Sequence, residues 1–146
     1  MYFWHTGILT YDIEKTLDIL CELPGTDRDK WTIFEVDFPD EEMVTGDGGR
    51  LRVAIGRIGG TGGVVYELLQ PMDDKSYHAK KLKERGPGVH HGAYVCEEGQ
   101  KETVAALLER GGKIVWECMH GDERCCYVEC NGTVMEIINV CPFMPE

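Results

Sequence analysis

The sequence predicts an α+β fold written as βαβββ twice, two half-size modules sharing one sheet. Three observations carry that prediction. A histidine opens a strand-like segment twice, as His5-Thr6-Gly7-Ile8-Leu9 and as His91-Gly92-Ala93-Tyr94-Val95. Each opening is followed by a stretch with helical spacing and a glycine stop. Each module then closes on a glutamate inside an apolar run, Glu67 in Val64-Val65-Tyr66-Glu67-Leu68-Leu69 and Glu136 in Thr133-Val134-Met135-Glu136-Ile137-Ile138.

In module one, about residues 1–70, Tyr2 to Leu9 alternates loosely and reads as a strand. Asp12 is placed to cap a helix that carries Ile13, Leu17 and Leu20 on one face, and Pro24-Gly25 ends it. Trp31 to Phe38 reads as the second strand, with Ile33, Val36 and Phe38 as its apolar positions. Asp40-Glu41-Glu42 and Gly46-Asp47-Gly48-Gly49 then make a polar loop. Leu51 to Ile58 is the third strand, Gly59 to Gly63 a tight hairpin connection, and Val64 to Leu69 the fourth.

A linker of about residues 71–87 follows, broken at Pro71 and helical from Ser76 to Arg85 until Gly86-Pro87-Gly88 stops it. Module two, about 88–146, repeats the order: a strand from Val89 to Cys96, a helix from about Lys101 to Arg110 with Val104, Leu107 and Leu108, and the Gly111-Gly112 stop. Its remaining strands are Lys113 to Glu117, Cys125 to Cys130 and Val134 to Val140. The whole chain, 1–146, reads as a single domain: 146 residues with 42% hydrophobic content suffice for one core and are too few for two ordinary ones.

A net charge of −11 disfavours nucleic acid or an acidic membrane surface as partner, because phosphates need clustered Lys and Arg. No apolar run reaches 18 residues, and Met1-Tyr2-Phe3-Trp4-His5 lacks the basic start of a signal peptide, so the expectation is a soluble cytoplasmic protein. The seven cysteines are odd in number and fit reduced thiols better than a disulfide framework. Cys125, Cys126 and Cys130 lack the paired spacing of zinc sites and read as packing residues.

A carboxylate buried in an apolar strand without a partner costs several kcal/mol. Glu67 and Glu136 therefore call for a counter-charge, a hydrogen-bond network or a metal. Because strand side chains alternate faces, a histidine on one strand and a glutamate on another can share one concave surface. Two such surfaces across a pseudo-twofold bring His5, Glu67, His91 and Glu136 around one divalent ion, with Zn, Mn, Fe, Co and Ni all suited to the donor set. Strand alternation turns His90 away from His91, and Tyr66 away from Glu67.

The segments His5 to Leu9 with Asp12, Tyr66-Glu67-Leu68-Leu69-Gln70-Pro71, Lys83 to Ala93 through Gly86-Pro87-Gly88-Val89-His90-His91, and Val134 to Ile137 resemble the vicinal oxygen chelate (glyoxalase/bleomycin resistance) superfamily. They are most similar to its methylmalonyl-CoA epimerase-related branch. The resemblance runs from about Phe3 to Val140. It implies paired βαβββ modules forming a cupped mixed sheet around a metal site, with His5, Glu67, His91 and Glu136 in the four ligand places, and a homodimer.

The reaction implied is epimerisation or racemisation: a divalent ion polarises a carbonyl, one group removes the neighbouring proton and another returns it on the opposite face. Glu136 is the first choice of base, with Glu67 as the second catalytic group. Arg124 and Tyr77 are expected to contact the small carbonyl substrate. Epimerases of this branch carry a further acid/base glutamate on the third strand of module one, and Leu51 to Gly56 contains no carboxylate. The substrate expectation therefore includes an aromatic ketone, such as an isoflavanone, beside an acyl-CoA. A glyoxalase-type isomerase or lyase and a non-catalytic sequestering protein are the alternatives.

Overall fold

The computed structural model describes residues 1–142 and 144–146. In chain order the elements are β1 (Tyr2–Leu9), α1 (Ile13–Leu20), β2 (Thr32–Phe38), β3 (Met43–Thr45), β4 (Gly49–Ile58), β5 (Val64–Pro71), α2 (Tyr77–Arg85), β6 (Gly88–Val95), α3 (Gln100–Glu109), β7 (Lys113–His120), β8 (Glu123–Cys130) and β9 (Thr133–Ile138). The strands form one mixed sheet in the order β2-β4-β5-β1-β6-β9-β8-β7-β3, curled into a half-barrel.

The order is a palindrome about its seam. β1 and β6 pair antiparallel there, and each runs parallel to the last strand of its own module, β5 or β9. The hairpins β4·β5 and β8·β9 extend the sheet outward on either side. The seam thus gathers the strands that carry His5, Glu67, His91 and Glu136, two from each module.

Helices α1 and α3 cover the outer face. The Asp12 carboxylate accepts from the Lys15 backbone N–H and starts α1, whose Ile13 and Leu17 are fully buried against Ala54, Leu68 and Trp31. In module two Val104 packs on Cys126, Val128 and Ile137 in the same way. Each such aliphatic side chain contributes roughly 1.5–3 kcal/mol by leaving water. Alternation then sends Leu51, Val53, Ile55 and Leu69 to the inner face, where they line a cavity.

The linker helix α2 is more deeply embedded than its charged sequence suggests. Ser76 caps it by accepting from the Ala79 N–H, and Tyr77, His78 and Leu82 are buried. Leu82 packs among Leu9, Leu51, Val53 and Leu69 of module one, while Tyr77 packs with Trp116 and Tyr127 of module two. The helix plugs one end of the trough and touches both halves. Lys80, Lys83 and Arg85 stay on its exposed side.

Three features differ from the sequence expectation. The acidic loop contains a ninth strand, β3, which pairs with β7 of the other module through Met43↔Cys118 and Thr45↔Glu117. Strand β2 is an edge with a single neighbour, so Ile33 and Phe34 remain 38% and 40% exposed rather than filling the core. β9 stops at Ile138 rather than Val140, because Asn139 turns its side chain onto the β7–β8 connection, accepting from the Arg124 N–H and donating to the Asp122 carbonyl. No described helix is long and apolar enough to cross a membrane.

Candidate metal centre

His5, Glu67, His91 and Glu136 converge at the seam, each offering one donor atom, all within 4.8 Å of one another. His5 Nε2 lies 3.0 Å from Glu67 Oε2, 3.2 Å from Glu136 Oε2 and 3.2 Å from His91 Nε2. His91 Nε2 lies 3.1 Å from Glu136 Oε2 and 3.8 Å from Glu67 Oε2. Ligands held at about 2.1 Å from one ion stand roughly 3.0–3.4 Å apart in octahedral or tetrahedral arrangements, so the spacing fits a divalent cation.

The donor chemistry fits as well. Glu136 Oε2 is buried and sits between the two imidazole nitrogens, yet is aligned for a hydrogen bond with neither. A carboxylate oxygen buried in that way needs a cation. Burial acts to lower the basicity of His5, but the neighbouring carboxylates, Glu67 first and then Glu136, outweigh it, raising its pKa to about 10. Burial likewise acts to raise the pKa of Glu136, and the two imidazoles reverse that, holding its carboxyl well below the usual range.

The surrounding residues explain how the strands bring these groups together. Gly7 faces His91 across the seam, and a Cβ on Gly7 would lie 2.1 Å from His91 Cε1. The histidine ring occupies the space that the glycine vacates. Trp4 packs edge-on against the His5 ring at 4.4 Å between centroids.

The register of β6 slips between Gly7↔His91 and Ile8↔Val89, and His90 sits in that bulge. Strand alternation would turn His90 away from His91; the bulge instead brings its ring beside its neighbour. His91 Nδ1 lies 2.9 Å from His90 Nδ1, and His90 Nε2 lies 2.9 Å from the Tyr77 hydroxyl. Were His91 Nε2, which is turned to the cluster, to ligate an ion, its Nδ1 would carry the proton and donate to His90 Nδ1, leaving His90 as the Nε2–H tautomer that donates to Tyr77. Burial, the largest effect, keeps His90 neutral.

A second support comes from Tyr127, whose ring lies on His91 at 4.8 Å and whose hydroxyl is 2.9 Å from His78 Nε2. Burial pushes the His78 pKa down to about 3. On β8 the Cys125 thiol donates to Glu136 Oε1 at 2.9 Å, while Cys126 points to the outer core, so the adjacent cysteines sit on opposite faces.

The four ligand candidates come together as the sequence suggests. Arg124 lines the cavity wall with its Nε donating to Glu117 Oε1 at 2.7 Å. Tyr77 is buried below the centre, its hydroxyl on His90. Tyr66 packs on the outer face with Ile13 and Leu17, away from the centre. The sequence reading turned His90 away from the site, took Cys125 as a packing residue and did not single out Tyr127; the His90-His91 doublet was the one visible signal.

Above the centre opens a cavity of about 580 Å³. Trp4, Leu51, Val53, Ile55, Trp116 and Tyr127 are among its buried walls, and Glu67 and Glu136 form part of its floor. The described walls from β4 contain no carboxylate, as the sequence of that strand requires.

Residues 4–127 match the model of the glyoxalase/bleomycin resistance protein/dioxygenase superfamily, most of the chain. The chain belongs to that superfamily. Solved structures of similar fold include a hypothetical protein from Bacillus halodurans C-125, at 19% identity and TM-score 0.64, covering 97% of this chain and 96% of that one. Methylmalonyl-CoA epimerase from Mycobacterium tuberculosis is 20% identical with TM-score 0.62, covering 96% of this chain and 88% of its own. A variant of the Streptomyces coelicolor methylmalonyl-CoA epimerase in complex with 2-nitronate-propionyl-CoA is 20% identical with TM-score 0.61, covering 99% and 97%. Comparison with curated protein sequences finds no match. Within the superfamily fold, the paired modules and the His/Glu cluster at their seam are the features this chain presents.

Proposed function

We propose that this superfamily member is a divalent-metal-dependent epimerase or racemase that removes a proton beside a carbonyl and returns it from the opposite side. Its substrate is an acyl-CoA, as for methylmalonyl-CoA epimerases, or an aromatic ketone such as an isoflavanone. The observation that carries the reading is the convergence of two imidazoles and two carboxylates on the floor of an otherwise apolar cavity. A bound divalent ion would supply Lewis acidity toward the carbonyl oxygen, making the adjacent C–H easier to ionise.

His5, His91, Glu67 and Glu136 would hold the ion. Glu136 takes the proton from carbon, the C–H electron pair moving toward the carbonyl oxygen, and later releases it to solvent, while Glu67, which comes from the other module and is 16% exposed, relays a proton from solvent to the same carbon. One proton leaves and one arrives, so no redox partner is needed. The depressed pKa of Glu136 keeps it ionised, and the Cys125 thiol on Oε1 fixes its orientation. The apolar walls exclude water from the ionised carbon. Arg124 meets a substrate oxygen from the wall, and Tyr77 acts through His90 on the orientation of His91. Seven free cysteines support a reducing, cytoplasmic setting.

The test couples elemental analysis of the purified protein for Co, Mn, Zn, Ni and Fe to solvent-deuterium incorporation at the α carbon of an acyl-CoA and of an aryl ketone. Wash-in by the metal-loaded protein that vanishes in Glu136→Gln supports the reading. Full exchange in that variant rejects Glu136 as base. A metal-free protein that binds aromatic ligands without exchange turns the reading to sequestration.

A further inference from the structure

The charges around the cavity are arranged in a way that discriminates between the two substrate classes. Its deep walls are apolar and aromatic. Arg124 and His120 are the basic side chains among the described lining residues, and both are already answered: Arg124 by Glu117, itself buried, and His120 by Glu42 at 2.7 Å. The remaining charged groups at the opening are the exposed carboxylates of Asp37 and Glu123. Of the lysines of the α2 region, Lys75 lies near Asp40, Lys80 on Asp47 and Lys81 on Glu84, and Lys83 stands exposed outside the cavity lining. Nor do the other three line it.

A coenzyme A thioester carries several phosphate charges that must lie at the mouth of such a cavity while the acyl group reaches the floor. Phosphates are held by uncommitted Lys or Arg or by helix N-termini, and an acidic rim on a chain of net charge −11 repels them. A neutral ligand meets no such opposition. It gains by burying apolar area against Trp4, Trp116, Val53 and Phe34, the last standing at the rim on edge strand β2. The volume of about 580 Å³ lies within the range of pockets for drug-sized molecules.

We infer that the cavity takes an electrically neutral, largely apolar carbonyl compound of a few fused or linked rings, and that Asp37, Glu42 and Glu123 at its mouth exclude polyanionic thioesters. The inference rests on the proposed proton-transfer function and narrows its substrate class. Arg124, its charge compensated by Glu117, presents a hydrogen-bonding group suited to a neutral oxygen rather than an unbalanced charge suited to a phosphate.

The probes are α-tetralone, a neutral bicyclic aryl ketone, and propionyl-CoA, titrated into the metal-loaded full chain with tryptophan fluorescence as readout, since Trp4 and Trp116 line the cavity. α-Tetralone is expected to quench with an affinity at least about tenfold above that of propionyl-CoA, and to change by less than about twofold between roughly 0.05 and 0.5 M salt. Asp37→Lys combined with Glu123→Lys, both exposed, is expected to raise propionyl-CoA affinity about tenfold. Tighter binding of propionyl-CoA than of α-tetralone by the parent protein overturns the inference, as does a rim reversal that leaves thioester binding unchanged. The parent's deuterium exchange separates the two levels. Exchange into an acyl-CoA alone upholds the reaction and sinks this inference; ketone binding without exchange upholds the inference and sinks the reaction.

Discussion

Gly7 and His91 are register partners across the seam, and the imidazole of His91 fills the volume a side chain at Gly7 would need. The two modules meet so closely there that the candidate ligand of one is seated on the backbone of the other.

Gly7→Ala is therefore expected to push the His91 ring away from the cluster. Overpacking of this kind costs about 1–3 kcal/mol. The variant should melt several degrees below the parent and bind Co²⁺ at least about tenfold more weakly. Calorimetry and competition with a chromophoric chelator measure the two effects; an alanine variant with parental metal affinity would show that His91 is no ligand.

The chain from His91 through His90 to Tyr77 makes a graded prediction. His90→Leu removes the acceptor for His91 Nδ1–H and should weaken metal binding by about 10–100-fold, the usual cost of losing such a partner. His90→Asn, whose Oδ1 stands near the lost Nδ1, should recover most of that loss, and Tyr77→Phe should fall between the two. Long-range ¹H–¹⁵N spectra should find the proton of His91 on Nδ1. A leucine variant as tight as the parent removes the positioning role.

In the metal-free protein, His5 and Glu136 give opposite pH dependences. The folded pKa of His5 is raised from 6.5 to about 10, so its contribution to stability is complete below pH 6.5 and is lost as pH rises through 10. Glu136 is depressed from 4.5, so its contribution is complete above that value and is lost on acidification. Both are fully present between pH 4.5 and 6.5. Denaturant melts of metal-free protein should show stability falling toward pH 10, and a metal-loaded sample should lose that slope. Metal uptake at pH 7.5 should release the His5 proton, seen as a buffer-dependent heat in calorimetry.

Arg124 and Glu117 form a mostly buried pair, 16% and 9% exposed at their side chains. Glu117→Ala leaves the guanidinium uncompensated and should cost about 3–5 kcal/mol in chemical denaturation. Glu117→Leu with Arg124→Leu should recover much of that stability. A single variant as stable as the parent would mean that the pair is solvated.

Much of the fold and of the candidate centre was legible because both depend on local regularities. The alternation of Val65, Glu67 and Leu69 places Glu67 on the inner face whatever the rest of the chain does, and the same holds for Val134, Glu136 and Ile138. The repeat of a histidine-led strand gave the pairing of modules. What escaped depends on distant partners. β3 is three residues in an acidic loop whose identity as a strand comes entirely from β7, and the exposure of Ile33 and Phe34 follows from β2 being an edge. His90 was turned the wrong way because a bulge breaks the period of two, and nothing in the strand's own composition announces a bulge.

The two outermost strands of the sheet, β2 and β3, are also neighbours in sequence, separated by residues 39–42 alone. Five Cα steps span at most about 18 Å, so this short strap tethers one rim of the half-barrel to the other. Pro39 and Glu42 of the strap face the cavity. How far the trough can gape is thereby set by covalent length rather than by weak contacts, and the thickness of any guest is capped by the same few residues.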